Sequence, residues 1–493
     1  MTKIAHKMPR GVTPLYFIQA FSTFSFAILY SSLSLFITNQ LGLSNIASNS
    51  IVGLFLAFNY VLHLLGGVVG GRYLSNRALF FITTILQSIG IVFLAFSQIS
   101  LLYTGLSLFL VGCGLNTTCY NNMLTQRFLP TDNRQDNAFF FSYSAMNVGF
   151  FAGFIISGFY DYSNHYQQIF YLSLFTNVVT LLLMSFSWPY LADRNTSLLA
   201  LQKHASLRLK NAIGIAVTLL LIPFLIMCFH SANFSNSMVM ILSIIMFFVI
   251  LFLGQQQKNR ADKQRIMAYL ILTITSIVFW MIYYTGPMGV TIFVKNNVDR
   301  HILNHEVATQ WILNINALVI IIGAPIMAIV MKRLQSRGYS FSVSMQFVWA
   351  FIILAFSFFF LGCAVLFSDS LGYSSMSWVI LHLIAQSIAE LLIGPVGYAM
   401  IGRIAPPKLQ GILMGTWMMV SGVSASLSSY FSNAMMKSES LDPLVTNADY
   451  QQVFVQLGFW ALAAAVLLYF ISGKIGRLID NTEDTEVGAL LLN

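Results

Sequence analysis

Apolar runs long enough to cross a lipid bilayer recur along the whole chain. A membrane-spanning helix needs about 20 consecutive apolar residues, and hydrocarbon favours helices because their backbone polar groups are bonded internally. Only 8% of the 493 residues are charged, against about 25% in a soluble protein. The pattern predicts an all-α polytopic membrane protein with fourteen spans, at 14–38, 49–69, 77–97, 100–123, 138–160, 168–188, 211–230, 236–254, 266–293, 308–331, 342–366, 374–401, 410–434 and 451–473.

The positive charges indicate the orientation of these spans. When the loops are numbered alternately from a cytoplasmic N-terminus, only Lys295, Arg300 and Lys437 lie outside, which leaves 22 of the 25 Lys and Arg residues inside. Basic loops stay on the cytoplasmic side of a membrane, so both termini are expected to be cytoplasmic. This asymmetry accounts for the net charge of +9, and we expect no nucleic-acid partner.

Two featureless spans interrupt an otherwise repeated layout. Spans 211–230 and 236–254 are almost entirely Leu, Ile, Val, Met and Phe, and they lie between basic polar segments. Without this hairpin, which we expect to be peripheral and to face lipid, six spans precede and six follow, as in transporters built from two repeated bundles. The predicted parts are an N-terminal six-helix bundle at 1–190, a linker with the inserted two-helix hairpin at 191–265, a C-terminal six-helix bundle at 266–476 and a short cytoplasmic tail at 477–493.

One carboxylate lies deep inside a span. All Lys and Arg residues and 15 of the 16 acidic residues fall in loops, at membrane edges or in the tail, and Glu390 is the exception. Gln386 and Ser387 precede it on one helix face, and Gly394–Pro395 follows, where a helix is expected to bend or break. Ionisable groups inside a membrane are usually functional, although a buried glutamate can also hold helices together. Glu390 is therefore the main candidate for carrying protons.

Other polar and aromatic residues inside the spans are weaker candidates. His382 lies near the helix face of Glu390, and His63 could either relay a proton or bond a neighbouring helix. Further residues could line a cavity or only pack; they are Asn116, Thr117, Asn147, Asn314, Asn316, Tyr60, Trp280, Tyr283, Tyr284 and Trp417. The four cysteines lack metal-ligand spacing, and no phosphate-binding loop, nucleophile elbow or zinc motif occurs. We expect no cofactor, no metal and no enzymatic activity.

Several stretches, in order along the chain, carry a resemblance to one family. FFFSYSAMNVGFFAGFIISG at 139–158 contains the pattern Tyr-x-x-x-Asn-x-Gly, and 36–77, 279–300, 310–325 and 389–417 add further similarity. These stretches resemble the first loop and the second, fifth, seventh, eighth, tenth and eleventh helices of the proton-dependent oligopeptide transporter family of the major facilitator superfamily. The resemblance implies a major facilitator fold and secondary transport by rocking of two halves. Bacterial members carry the same hairpin, which implies the bacterial inner membrane.

The charged groups of that family's first, fourth and seventh helices are absent here. The resemblance aligns its Glu-x-x-Glu-Arg pattern with QAFST at 19–23, a second arginine with Tyr30, the fourth-helix lysine with Thr117 and a seventh-helix acidic residue with Tyr284. In the family, the arginines and the lysine bind the carboxylate of a peptide. Loss of every member of a buried ion network is tolerated better than loss of one member, so the changes are consistent with a single altered site.

The family's group for the amino terminus of a peptide is retained. It corresponds to Glu390, Asn147 and Asn316, and Tyr60 and Trp417 match cavity aromatics. We predict binding of small peptides or other amine-bearing solutes, with altered or reduced proton coupling, by a protein that is expected to be monomeric. The predicted substrate-binding residues are Glu390, Asn147, Asn316, Tyr60, Trp417, Tyr30, Thr117, Tyr284 and Trp280, and the proton-coupling candidates are Glu390, His382 and His63.

Two alternatives remain open at this point. One is export or import of a less peptide-like solute, such as a siderophore or a drug. The other is a sensor or scaffold that no longer transports, since decay would also remove the coupling charges. Retention of Glu390 and the asparagines argues against simple decay.

Overall fold

A computed structural model describes residues 8–128, 134–161, 165–194, 196–199, 204–302, 305–337, 342–404, 410–438 and 440–480. Within these ranges helices dominate, and the only strands are four two-residue segments. The helices of the first half of the chain are α1 (Val12–Leu35, continued by a π-helical turn Phe36–Gln40), α2 (Asn45–Val69), α3 (Asn76–Ala95), α4 (Ile99–Thr125), α5 (Arg134–Asp161), α6 (Tyr166–Ser187) and α7 (His204–His230).

The helices of the second half are α8 (Ala232–Gln255), α9 (Arg260–Tyr283), α10 (Thr291–Asn296), α11 (Thr309–Leu313), α12 (Ile315–Ser336), α13 (Val343–Leu366), α14 (Met376–Ile404), α15 (Gln410–Ala434) and α16 (Pro443–Asp480). A π-helical turn, Gly286–Val290, links α9 with α10, and Asn314 links α11 with α12. Counted with these continuations, the described chain has fourteen long helical segments, one for each predicted span.

Twelve of these segments, among the described residues, are long and apolar enough to cross a membrane by length and composition. The other two segments are α5 and α15. The chain is a multi-pass membrane protein, as the sequence predicts. Side-chain caps begin several of its helices; Ser75, Asn259 and Ser342, for example, each accept a hydrogen bond from a backbone N–H of the first turn.

The chain forms two compact units. Unit 1 comprises Met1–Leu43 and Leu54–Ser235, and unit 2 comprises Ser44–Gly53 and Asn236–Asn493. Helix α7 of the inserted hairpin therefore belongs to unit 1 and α8 belongs to unit 2. Of the predicted cytoplasmic tail at 477–493, residues 481–493 lie outside the described ranges.

Unit 1 is built from closely crossing helices. In unit 1, α3 packs against α4, and α1 packs against α5 and α6. The Asn-x-Gly part of the fifth-helix pattern has a steric reason, because a Cβ atom at Gly149 would lie 2.5 Å from the backbone oxygen of Ala20 on α1. Only a residue without a side chain lets these two backbones approach so closely.

Unit 2 has an aromatic core and a small ordered cap at one end. Phe279, Phe293, Phe351 and Phe358 are fully buried among α9, α10, α13 and their neighbours. The cap consists of β1 (Val298–Asp299) in parallel pairing with β4 (Ser374–Ser375), and β2 (His301–Ile302) in antiparallel pairing with β3 (His305–Glu306). Asn297 anchors the cap, since its side-chain amide donates to Thr446 and to Asn447 of α16.

Two details of the sequence analysis need correction. Of the bend or break expected at Gly394–Pro395, a break is not found, because α14 continues through this dipeptide to Ile404. The hairpin is also less featureless than its composition suggests. Many of its apolar side chains are exposed, but Ser426 of α15 donates a hydrogen bond to the buried Asn236 of α8. A polar contact inside a span can hold helices together, and it ties this helix to unit 2.

Candidate substrate and proton site

Glu390 is the centre of a three-helix hydrogen-bond group in unit 2. Its Oε2 accepts a 2.7 Å bond from the hydroxyl of Tyr283 on α9 and a 3.1 Å bond from the side-chain amide of Asn316 on α12. The same amide donates to Ser387 Oγ at 2.8 Å. In the described part of the chain, therefore, both partners of this carboxylate are neutral. Glu390 is only partly buried, and its Oε1 accepts from no described residue.

Aromatic rings form one wall beside this carboxylate. Trp280 lies edge-on to Tyr283 with ring centroids 5.1 Å apart, and it stacks on Tyr284 at 5.7 Å. Tyr283 and Tyr284 are themselves edge-on at 5.6 Å. The predicted binding residues Trp280 and Tyr284 thus join the Glu390 group through Tyr283. The sequence indicated Tyr283 as a cavity aromatic, but its bond to Glu390 could not be read from the helical periodicity of α9.

His382 points to a different neighbour. Its Nδ1 lies 2.7 Å from the hydroxyl of Ser357 on α13, and its ring lies edge-on to Phe358 at 5.2 Å. The side chain is fully buried. Gln386, one turn before Glu390, donates instead to the backbone oxygen of Tyr283 at 3.3 Å. His382, on α14, therefore packs against α13, and its hydrogen bonds do not reach Glu390.

Trp417 is buried on α15, with 5% of its surface exposed. Its ring lies 6.4 Å from that of Tyr269 on α9, and the Tyr269 hydroxyl donates to the backbone oxygen of Leu413, one turn before Trp417. These contacts fix the position of Trp417 relative to α9. They also make Tyr269 a structural residue for this part of α15.

In unit 1, the positions aligned with charged groups of the family hold neutral side chains. Tyr30 lies among Phe26, Phe150 and Phe154, with ring centroids 5.8, 6.3 and 6.1 Å away. Thr23 accepts a hydrogen bond from Gln19 one turn earlier on α1, at 3.2 Å. The described ring neighbours of Tyr30 are therefore apolar and aromatic, and such neighbours would not offset the cost of a buried arginine.

Two further candidates of unit 1 bond to their own helices. The side-chain amide of Asn147 donates to the backbone oxygen of Tyr143 at 2.8 Å, and the hydroxyl of Thr117 lies 3.5 Å from the backbone oxygen of Cys113. Both partners are one helical turn earlier. The lone pairs of the Asn147 side-chain oxygen and the Thr117 hydroxyl still allow each side chain to accept a hydrogen bond from a solute.

His63 bridges α2 and α4. Its Nδ1 lies 2.7 Å from the backbone oxygen of Gly114, and Thr118 donates to the backbone oxygen of His63. Because a carbonyl oxygen only accepts, Nδ1 carries a proton in this pair. Tyr60 is edge-on to the imidazole at 5.7 Å. The Nδ1 bond leaves Nε2 as the nitrogen that can gain or lose a proton.

The structure thus gathers some of the predicted site residues and separates others. In unit 2, Glu390 and Asn316 are in direct contact, and Trp280 and Tyr284 adjoin them. In unit 1, Tyr60 and His63 are in contact. Tyr30, Thr117 and Asn147 belong to the same unit and bond or pack with other residues. No group of three or more His, Cys, Asp or Glu side chains that could hold a metal occurs among the described residues.

Comparison with known proteins identifies relatives along nearly the whole chain. The POT family pattern matches residues 77–451. Dipeptide and tripeptide permease A of Salmonella typhimurium is 24% identical over 490 residues, which cover 98% of this chain and 96% of the permease.

Solved structures show the same fold. A peptide transporter POT crystallised with sulfate has a TM-score of 0.84 and 21% identity, with 96% of each chain covered. A POT family transporter bound to 5-aminolevulinic acid has a TM-score of 0.81 and 20% identity, covering 95% of this chain and 97% of the other. The predicted all-α membrane fold of the major facilitator type is confirmed.

Proposed function

This chain belongs to the POT family, and on that premise we propose that it is a secondary active transporter that moves small peptides or other amine-bearing solutes by alternating access. The permease relative is named for dipeptides and tripeptides, and one structural neighbour holds 5-aminolevulinic acid, a small amine-bearing solute. Both support an amine-bearing cargo for this chain.

The observation that carries the proposal is the environment of Glu390. A carboxylate inside a membrane span is costly and usually functional. This one is held by two neutral donors, Tyr283 and Asn316, and no described cation bonds to it. Its Oε1 is left to accept a hydrogen bond, and the residue is partly exposed. An ammonium group would supply the missing positive charge. Trp280 and Tyr284 add aromatic faces, which attract cations.

In our proposal, no buried cation binds the carboxylate end of a peptide. Tyr30, Thr23 and Thr117 occupy the positions where the family resemblance places cations, and the ring of Tyr30 lies among phenylalanines. Recognition should therefore depend on the amine more than on the carboxylate. We also propose that proton coupling is altered or reduced, because Gln19, Ser22 and Tyr284 stand at the family's other acidic positions. Glu390 is then the main proton carrier.

The proposal also covers the orientation of the protein in the membrane and its oligomeric state. The distribution of Lys and Arg residues supports a bacterial inner-membrane protein with both termini in the cytoplasm. The six-helix bundles at 1–190 and 266–476, the linker with the inserted hairpin at 191–265 and the tail at 477–493 remain our assignment of the parts. We take the monomer as the working unit, and the mass of the purified protein in detergent tests this.

A thermal-shift series on purified protein tests the cargo. The probes are one dipeptide with free termini, its C-terminal amide and ester, and its N-acetyl derivative. We expect the free, amidated and esterified forms to stabilise the protein to a similar extent, and the acetylated form to lose about tenfold or more in affinity, equivalent to about 1.4 kcal/mol. In Glu390→Gln the difference between free and acetylated amine should shrink. A strong requirement for the free carboxylate would contradict the proposed site.

A further inference from the structure

Three arginines meet at one membrane edge of unit 1, on the side that we propose faces the cytoplasm. Arg77 lies in the first turn of α3, Arg127 lies two residues after α4, and Arg194 follows α6. They belong to one network, because Arg194 donates to the backbone oxygen of Arg127 at 3.4 Å, and both Arg77 and Arg127 donate to the segment Trp188–Ala192. We call this group the arginine cluster.

Arg127 is the structural member of the arginine cluster. Its side chain is buried, and its three nitrogens donate to the backbone oxygens of Met123, Tyr190 and Ala192. These bonds hold the chain that follows α6 against the end of α4. Since every nitrogen of Arg127 already donates to a backbone oxygen, the side chain is held in place, and its positive charge acts on its surroundings.

Arg77 and Arg194 keep donors available. The guanidinium of Arg77 lies 4.7 Å from the ring centre of Trp188 and donates to the backbone oxygen of that residue at 2.6 Å. Its Nε–H is buried and bonds to no described residue. Arg194 is exposed, and its side chain makes the single 3.4 Å bond to Arg127. Both side chains therefore retain N–H groups for an anion.

The charge of the arginine cluster is not balanced locally. The nearby acid is Asp193. Its carboxylate accepts hydrogen bonds from the backbone N–H of Asn76 at 3.0 Å and from the side-chain amide of Asn76 at 3.1 Å, and therefore bonds to neutral groups of Asn76. Counted over the described residues of this group, three cations face one anion, which leaves two positive charges in excess. Burial, together with the charges of Arg194 and Arg77, lowers the pKa of Arg127 to about 10, and Asp193 offsets this only in part. A bound anion would relieve this repulsion.

Apolar aromatic surface borders the same cluster. Phe186 and Tyr190, on either side of Trp188, are 80% and 48% exposed, and Phe81 packs edge-on against Trp188 at 5.8 Å. Tryptophan and tyrosine favour the interface between headgroups and hydrocarbon. A ligand that fits this place has a negative head for the arginines and an apolar body for the rings.

We propose that the arginine cluster binds the headgroup of an anionic phospholipid, with Arg77 and Arg194 contacting its phosphate and the rings of Phe186 and Tyr190 lying along its acyl chains. Guanidinium groups match phosphate oxygens in geometry and charge, and basic pockets at helix ends on the cytoplasmic side are suited to such headgroups. The aromatic border distinguishes a lipid from a free phosphate ion. Bound there, the lipid would brace the ends of α3, α4 and α6.

Full-length protein purified in a neutral detergent tests the proposal. Its thermal stability and its lipid adducts in native mass spectrometry are measured with added phosphatidylglycerol, phosphatidylcholine or soluble glycerol 3-phosphate. We expect phosphatidylglycerol to raise the melting temperature and to persist as a specific adduct, whereas phosphatidylcholine and glycerol 3-phosphate do neither. Stabilisation by glycerol 3-phosphate to the same extent would mean a phosphate site and would overturn the lipid assignment.

Two variants locate the binding. Arg194→Gln and Arg77→Gln should each weaken phosphatidylglycerol binding roughly fivefold, since one basic group near a lipid surface contributes about 1 kcal/mol. Arg208→Gln on α7, an exposed basic residue outside the cluster, is the matched control and should bind like the wild type. Equal losses in all three variants would indicate general charge attraction and contradict the proposed site. If Arg77→Gln folds poorly, the exposed Arg194→Gln variant and the lipid series on the wild type still test whether the arginine cluster binds the lipid.

Discussion

The hydroxyl of Tyr283 donates a 2.7 Å hydrogen bond to Oε2 of Glu390 across 107 residues of sequence. This bond joins α9 to α14, and Asn316 adds α12 at 3.1 Å. Three helices of unit 2 thus converge on one carboxylate inside the membrane. A movement of any of these helices changes the hydrogen bonding of Glu390, and a change in its charge acts in turn on all three.

Glu390→Gln is expected to keep the fold and to remove the pH dependence of transport. Glutamine preserves the size and accepts the same two bonds, but it cannot take up or release a proton. Uptake or efflux in proteoliposomes, measured from acid to neutral pH, should become flat. Glu306→Gln, an identical change at a residue of the cap, should keep the wild-type profile. An unchanged pH profile in Glu390→Gln would make Glu390 a structural residue and leave coupling to a histidine or to none.

Tyr283→Phe should weaken binding of an amine-bearing solute about fivefold to tenfold, because a hydrogen bond to a charged group contributes about 1.5 kcal/mol or somewhat less when partly solvated. The ring would remain in its aromatic wall. Tyr166→Phe is the control, since that hydroxyl donates to the carboxylate of Asp161 in unit 1 at 3.1 Å, and its loss should lower stability without changing affinity. Titration calorimetry measures the affinity of the two variants. Equal losses of affinity would mean that Tyr283 acts through packing.

Gly66→Ala should destabilise unit 1. A Cβ at this position on α2 would lie 2.6 Å from the backbone oxygen of Leu115 on α4, and a backbone cannot move aside without separating the two helices. Overpacking of this kind costs about 1–3 kcal/mol, which should appear as a lower melting temperature in detergent. For Gly473→Ala on α16, no described atom lies within 4 Å of the new Cβ, and the change should be neutral or stabilising. A neutral Gly66→Ala would indicate that α2 and α4 are less closely packed.

Single cysteines introduced into a cysteine-free variant test the orientation. Positions Asn233 and Lys437, which are exposed, should react with a membrane-impermeant maleimide added to intact cells. Positions Lys258 and Arg208, also exposed, should react only after the membrane is permeabilised. The reverse pattern, or labelling of all four in intact cells, would contradict cytoplasmic termini. Lys203 lies outside the described residues, and Arg208 represents the same linker in this test.

The sequence by itself determined the number and the approximate bounds of the spans. Hydrocarbon requires about 20 apolar residues for each helix, and this requirement is local, so it can be read from any window of the chain. Span 342–366, for instance, corresponds to α13 at Val343–Leu366. The same logic singled out Glu390, because a charge inside an apolar run is visible without knowledge of its neighbours.

Only the tertiary structure decided what these side chains contact. Helical periodicity places His382 near the face of Glu390, but packing turns it to Ser357 on α13. Tyr283 and Asn316 reach Glu390 from helices 107 and 74 residues away, and no local pattern encodes that meeting. The arginine cluster arises in the same way, because the basic loops show their charge in the sequence while the chain after α6 brings Arg194 to Arg127. Periodicity assigns a face to each residue, whereas its partner depends on how distant helices pack.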